Sequence, residues 1–227
     1  MKKILLFLFF FSCVALSSFA QETIDTTKNL SEIVVKAYEE NKQLKQTSAA
    51  VNYISAPELA KYNNTSILPA MNSTPGVRME ERSPASYRMN IRGSTLRSPF
   101  GVRNVKVYWD DIPFTDAGGN TYLNQLSFYN FNSIEVIKGP GGSLYGAGTG
   151  GVILIHSQPA LWQRGFDANI VGGSYGLFNT DLQLREGKEN FQNVLNYSHQ
   201  NSAGYRNHTT MRRDVANWQM KWIKSEK

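Results

Sequence analysis

Apolar and polar positions alternate with a period of two over residues 87–93 (YRMNIRG), which is typical of a half-buried β-strand. Residues 105–109 (VKVYW) and 134–138 (IEVIK) are further runs of strand length, and residues 152–155 (VILI) are apolar and mostly β-branched. Between the last two runs, GPGGSLYGAGTGG places a proline and several glycines where the backbone must turn. Residues 134–155 are therefore predicted to form a strand, a glycine turn, a small bend and a second strand.

The elements before this unit are short. Residues 51–54 read as a strand, and the capping box formed by Ser55 and Glu58 predicts a short helix that ends near Tyr62. The sequence PGVR at residues 75–78 predicts a turn that leads into another strand.

The pattern changes from about residue 165. Four runs of strand length follow, at residues 166–173, 179–186, 191–200 and 214–223. In the last run, apolar and aromatic residues alternate with mostly polar ones: Ala216, Trp218, Met220 and Trp222 against Val215, Asn217, Gln219 and Lys221. This alternation is typical of strands in a membrane barrel. Four strands cannot close a barrel, so we expect an N-terminal fragment or a truncated gene product.

The first 20 residues predict a secretory signal peptide. Lys2 and Lys3 precede an apolar run at residues 4–16, and small residues before Gln21 suit cleavage there. The run is shorter than the roughly 20 residues that span a bilayer, which disfavours a membrane anchor. Lipid modification at Cys13 is an alternative, but the residues before it form a poor lipobox.

Composition excludes several classes of function. Cys13 is the only cysteine, so the mature chain cannot form a disulfide or a thiolate metal site. The three histidines show no ligand spacing, and we expect no metal and no cofactor. Removing the two leader lysines from 24 Lys and Arg, against 18 Asp and Glu, leaves a net charge of +4. No basic patch indicates nucleic acid as a partner.

Two motifs allow alternative functions. Gly146, Gly148 and Gly151 match the spacing of a dinucleotide-binding loop, but a β-branched run follows them where that motif requires a helix. Asp110 and Asp111 could serve acid–base chemistry, and with Glu135 they would suit a secreted β-rich hydrolase. Because no nucleophile or histidine accompanies the aspartates in sequence, we interpret them as turn residues.

Residues 134–155 resemble the end of the plug domain of TonB-dependent outer-membrane receptors, through IEVIKGP, SLYG and GGVI in that order. The PGV turn and Arg92-Gly93 resemble the same domain. The resemblance implies an α+β plug domain, with a small mixed sheet and short helices, followed by antiparallel strands of an incomplete transmembrane β-barrel. The implied boundaries are a signal peptide at 1–20, a periplasmic tail at 21–45, the plug at 46–158 and barrel strands at 165–227.

The resemblance also implies a TonB box within the tail. It would consist of Glu32, Ile33, Val34, Val35, Lys36 and Ala37. Such a segment would add as a strand to an exposed sheet edge of a TonB-type coupling protein. The alternative is an ordinary first edge strand of the domain.

In receptors of this kind, basic plug residues at the positions of Arg92 and Lys138 pair with glutamates on the barrel wall, which here would lie beyond Lys227. Arginine is common where Lys138 stands, and lysine loses the bidentate geometry. A solvated strand charge is the alternative for Arg92. The loops at residues 96–103 and 115–130 would face outward and receive ligand, with the following candidates: Arg97, Arg103, Tyr122 and Gln125.

The resemblance implies TonB-dependent active uptake of a small cargo, with an iron chelate preferred, and no enzymatic activity. The protein would lie in the outer membrane of a Gram-negative bacterium, in contact with its lipid, with the tail in the periplasm. Two alternatives stay open here: a stand-alone periplasmic plug-like binding module and the hydrolase.

Overall fold

The computed structural model describes residues 33–39, 42–62, 65–84, 86–94, 102, 104–146, 148–157 and 162–224. The predicted signal peptide lies outside these residues. Within them, no helix is long and apolar enough to cross a membrane.

Short elements precede four long strands. The strands are β1 (Val34–Val35), β2 (Lys42–Gln43), β3 (Val51–Ile54), β4 (Val77–Ser83), β5 (Ser86–Ile91), β6 (Val105–Trp109), β7 (Ile112–Pro113), β8 (Ser133–Lys138), β9 (Gly151–His156), β10 (Gly165–Gly173), β11 (Leu177–Lys188), β12 (Phe191–Ser202) and β13 (Met211–Trp222). The α-helices are α1 (Ala56–Leu59), α2 (Leu68–Asn72) and α3 (Gly142–Tyr145), and single 3-10 turns lie at Ala37–Glu39, Leu44–Gln46, Leu123–Gln125 and Phe128–Asn130.

A five-stranded mixed sheet in the order β3-β8-β9-β6-β7 is the centre of the first part of the chain. Strand β8 pairs antiparallel with β3 and β9, whereas β9 pairs parallel with β6. The predicted unit at residues 134–155 is thus confirmed, with α3 as its bend. Its glycines lead into strand β9 and not into a helix, which removes the structural basis for dinucleotide binding.

Both faces of this sheet are covered. Side chains of successive residues point to opposite faces, so Ile134 and Val136 pack in one apolar cluster while Ile137 packs in another. Gly151 lies where β9 passes between its neighbours, and a Cβ there would be 2.5 Å from the carbonyl oxygen of Ile137. The close approach of the two backbones therefore requires glycine.

The hairpin formed by β4 and β5 covers the first face, together with α2. Met79, Met89 and Ile91 point inward from the hairpin, and Met71 reaches the same cluster from α2. The alternation predicted for residues 87–93 is confirmed, although the strand ends at Ile91.

Helix α1 begins as the capping box predicts. The backbone N–H of Ser55 donates to Oε2 of Glu58 at 2.9 Å. The helix ends at Leu59, sooner than predicted, and the chain continues to Tyr62 as turns.

Strands β10 to β13 form a separate antiparallel meander in sequence order. One end carries the longer connection at residues 203–210, called here the loop end, and the other carries the tight turn at residues 189–190, called the turn end. The four predicted runs all correspond to observed strands.

The two faces of the meander differ in polarity. The outward face exposes large apolar side chains, with Trp218 at 68% exposure: Phe166, Ile170, Leu184, Leu195, Trp218, Met220 and Trp222. The inward face buries polar ones: Asn179, Asp181, Gln192, Asn196, Ser198 and Gln200. A contiguous exposed apolar face fits contact with lipid, and a polar inner face is typical of membrane barrels.

We expect alkaline pH to destabilise the plug core through Tyr87. Burial, followed by the charge of Glu81, raises the pKa of Tyr87 from 10.0 to about 12. The unfolded chain loses this proton near pH 10 and the folded chain near pH 12. The stabilisation is therefore complete below pH 10 and is lost as the pH rises to about 12, by ~2–3 kcal/mol.

Urea unfolding of the intact receptor between pH 9 and 12 measures the slope with which the free energy of unfolding falls as the pH rises. Tyr87→Phe should reduce it, whereas Tyr122→Phe, which removes a hydroxyl from a half-exposed ring, should keep the wild-type slope. Equal slopes in all three proteins would contradict the assignment.

Candidate functional site

Residues 33–38, called here the docking segment, cover the second face of the mixed sheet. Strand β1 pairs antiparallel with β2, and the N–H of Leu44 donates to the carbonyl of Ile33 at 3.0 Å. Val35 is 0% exposed and Ala37 is 1% exposed. Both pack in the cluster that contains Ile137 from β8. The predicted TonB box, apart from Glu32, which is outside the described residues, is thus held against the plug.

Two side chains of the plug bind the backbone of this segment. The N–H of Lys36 donates to both carboxylate oxygens of Glu135, at 2.9 and 3.1 Å. The N–H of Tyr38 donates to the hydroxyl of Tyr145 at 2.7 Å. His156 completes the group, with Nε2 at 3.1 Å from Oε1 of Glu135.

Sequence reasoning assigned no contact of this kind to Glu135. The sequence nevertheless indicated such a contact, because Glu135 is the only charged residue between Ile134 and Ile137 and shares one face of the strand with the apolar Ile137. A carboxylate on a buried face needs partners. Its partners lie 21 and 99 residues away in the chain, so a local pattern could not identify them.

The two cations predicted to pair with the barrel wall lie beside each other. A Cβ at Gly76 would be 3.8 Å from the Arg92 side chain and 4.0 Å from Lys138 Nζ. The Lys138 ammonium donates to the carbonyl of Pro75. Burial, and then the charge of Arg92, lowers the pKa of Lys138. Neither cation has a carboxylate within ion-pair distance among the residues that the structure describes, so the pairing stays a prediction.

The two loops predicted to receive ligand meet in space. Val102 bridges to Thr121, and the side chain of Tyr122 is 46% exposed. Gln125 is also exposed and ends a 3-10 turn. Arg97 and Arg103 lie outside the described residues.

A cation that the sequence analysis did not select lies near this loop. Arg213 of β13 donates to the carbonyl of Asn124 at 3.0 Å, and its guanidinium carbon is 5.5 Å from the centre of the Phe128 ring. It also donates to Oε1 of Gln200 at 2.7 Å. Arg213 therefore joins the loop to the inner face of the meander near its loop end.

Other contacts between the plug and the inner face are polar and mostly uncharged. Near the middle, Ser127 donates to Asp181 at 3.2 Å and Ser198 donates to Ser127 at 2.6 Å. Closer to the loop end, Asn179 donates to Thr65 at 2.8 Å. No described contact of this set is an ion pair.

Near the turn end, Asp110 holds the plug to β13. Asp110 and Asp111 both have positive φ, at 48° and 72°, as a two-residue type I′ hairpin turn requires. The prediction of a turn is therefore confirmed, but Asp110 has a second role. Its carboxylate accepts from the N–H of Ser157 at 2.8 Å, from the Ser157 hydroxyl, and from Nε2 of Gln219 at 3.1 Å.

Residues 43–153 match the family model described as the TonB-dependent receptor plug domain. The vitamin B12 transporter BtuB of Vibrio vulnificus is 28% identical over 145 residues, which are 63% of this chain and 23% of the transporter. The pyoverdine receptor FpvA of Pseudomonas aeruginosa aligns with a TM-score of 0.64 at 15% identity, over 79% of this chain and 26% of that one. BauA, the ferric preacinetobactin receptor of Acinetobacter baumannii, aligns with a TM-score of 0.63 at 15% identity, over 81% of this chain and 27% of that one.

The fold and the polar contacts to the inner face define a plug domain joined to strands of an outer-membrane barrel. Residues 43–153 form a plug domain of the TonB-dependent receptor family, and the chain spans about a quarter of the length of the relatives named above. Receptors of this family lie in the outer membrane of Gram-negative bacteria, with the plug at the periplasmic side. They are not enzymes, which excludes the hydrolase alternative.

We expect Asp110→Asn to loosen the plug from β13. Three donors converge on the Asp110 carboxylate, and an amide offers them one oxygen and an opposing NH₂ group. The expected cost is about 1–3 kcal/mol in the local opening free energy, measured by hydrogen exchange of the Ser157 amide in the intact receptor. Asp111→Asn is the matched control, since Asp111 has the same turn conformation, and it should leave this exchange unchanged. Equal exchange in both variants would refute the anchoring role.

Proposed function

We propose that this chain is the energy-coupled gate of a receptor that imports a small cargo across the outer membrane. The observation that supports this best is the docking segment, which begins with strand β1 and is held at the plug surface with Ile33 43% and Val34 52% exposed. Exposed apolar strand residues at a sheet edge are a hazard unless a partner uses them.

The partner would be a TonB-type protein anchored in the inner membrane. It would bind residues 32–37 by strand addition, in which backbone hydrogen bonds supply the affinity. Force on this segment would then act on the sheet, because Val35 and Glu135 join the two. Those contacts between plug and wall that join two neutral side chains suit such movement, since water can replace a neutral hydrogen bond at a small net cost.

The cargo would bind at the loop end, where Tyr122 and Gln125 are exposed. We favour an iron chelate, because many ferric chelates are anionic and Arg97 and Arg103 belong to the same pair of loops. The likeness to BauA, a ferric preacinetobactin receptor, supports this choice, whereas the likeness to BtuB, a vitamin B12 transporter, supports a cobalamin. Radiolabelled uptake by cells that carry the receptor, with ferric chelates and with cyanocobalamin, separates the two; uptake of cobalamin alone would refute the iron assignment.

We expect Val34→Pro to abolish energised uptake and to leave cargo binding at the cell surface unchanged. Proline removes a backbone donor and fixes φ, so the segment cannot complete a ladder with a partner strand. Val34→Thr keeps the donor and the β-branched shape and should retain uptake. Equal uptake by the proline variant would contradict the coupling role.

We propose that Arg92 and Lys138 together face carboxylates on the barrel wall outside the described residues. Burial, and then repulsion by the adjacent charge of Arg92, lowers the pKa of Lys138, so an anion is needed to stabilise the two cations in an enclosed barrel.

Lys138→Gln tests the pairing. If wall carboxylates are present, we expect a loss of about 3 kcal/mol in plug stability, measured by urea unfolding of the intact receptor, because a buried carboxylate loses its partner. Lys138→Arg should retain the wild-type stability. If Lys138 is only a solvated charge, its removal relieves repulsion from Arg92, and an unchanged or raised stability would show this.

A further inference from the structure

Glu135 is an unusual residue to find at the centre of the plug. It is 1% exposed, and among the described residues no lysine or arginine nitrogen lies within 4 Å of its carboxylate. A buried carboxylate without a strong cation is costly unless it accepts several hydrogen bonds. Here it accepts from one backbone N–H with both oxygens, and His156 is its third contact.

The geometry of the docking segment shows which of its two hydrogen-bonding edges Glu135 binds. In an antiparallel pair, alternate residues direct their backbone groups toward the partner strand and the residues between them direct theirs away. The carbonyl of Ile33 faces β2, since it accepts from Leu44. The N–H of Lys36, three residues further on, faces the other way and is accepted by Glu135. The N–H of Tyr38, which lies in the 3-10 turn at Ala37–Glu39, is accepted by the hydroxyl of Tyr145.

The segment therefore has no open hydrogen-bonding edge at Lys36 while it is docked. Strand β2 lies along one edge, and the side chain of Glu135, from strand β8 of the mixed sheet, binds the other edge at Lys36. A strand of another protein that adds along the outer edge needs the same N–H of Lys36 that Glu135 holds.

We propose that Glu135 is a latch that competes with the coupling protein for the backbone of the docking segment. The carboxylate and the incoming strand are alternative acceptors for the Lys36 N–H, so only one can be engaged at a time. His156 positions the carboxylate from the neighbouring strand β9. This inference rests on the proposed function, because it assumes that residues 32–37 are the segment that the coupling protein binds.

The test uses the complete receptor that contains this chain, without cargo, and the periplasmic domain of the organism's own TonB-type protein. Glu135→Ala should tighten binding of that domain by about 10-fold or more, the effect of removing a hydrogen bond to a charged group. Glu135→Gln keeps the shape and one acceptor, so it should fold as the wild type does and give an intermediate affinity. A nitroxide label at position 34, whose side chain is half-exposed, should be least mobile in the wild type, more mobile in Glu135→Gln and most mobile in Glu135→Ala.

Two controls separate the latch from general loosening of the plug. Lys36→Ala changes the side chain but keeps the N–H, so label mobility should stay at the wild-type value. Thr115→Val removes a buried hydroxyl that binds the N–H of Val107 and contacts Thr121, away from the docking segment, and should not free the label. Equal affinity and label mobility in the wild type and both Glu135 variants would overturn the latch.

A synthetic peptide of residues 30–40 distinguishes failure of the latch from failure of the proposed function. If the peptide binds the periplasmic domain and the Glu135 variants behave as the wild type, the latch alone is wrong. If the peptide does not bind, the coupling segment itself is refuted, and the latch with it.

Discussion

The five-stranded sheet has two apolar faces, and both must be kept from water. Strands β8 and β9 are buried almost throughout, so neither face of the sheet is open to solvent along these two central strands. The hairpin of β4 and β5 covers one face. The other is covered by the docking segment, a short piece of chain held by two pairing residues, two plug side chains and a small apolar cluster. The docking segment, which we propose that the coupling protein pulls, thus also covers part of the core.

This arrangement joins stability to function. Displacing Val35 and Ala37 exposes the cluster around Ile137, and it also leaves the Glu135 carboxylate without its main donor. Release of the segment should therefore weaken the second face of the sheet, and local opening of a plug is easier when one face has lost its cover. The first face, with the hairpin in place, keeps its own packing.

The boundary between plug and meander is polar, unlike the apolar faces of the sheet. Hydrogen bonds of serine, asparagine, glutamine and threonine dominate it, with Asp110, Asp181 and Arg213 as the charged members. Such groups are satisfied equally well by water, in contrast to the apolar cores on either side of the sheet. The two parts of the chain can therefore be ordered against each other without being joined as firmly as a single core.

The sequence by itself determined the local elements. Runs of strand length located the four long strands, period-two alternation marked the apolar face of the last one, and the glycines around Gly151 marked the turn between β8 and β9. The capping box at Ser55 marked the start of α1. These features depend on side chains a few residues apart, or on the backbone freedom of one residue, and a local pattern contains both. Only the tertiary structure decided that Glu135 accepts the Lys36 N–H, that Asp110 reaches Gln219, and that Arg213 lies over Phe128. Each of these contacts joins residues about 80 or more positions apart, whose meeting depends on how the strands pair and not on the residues between them.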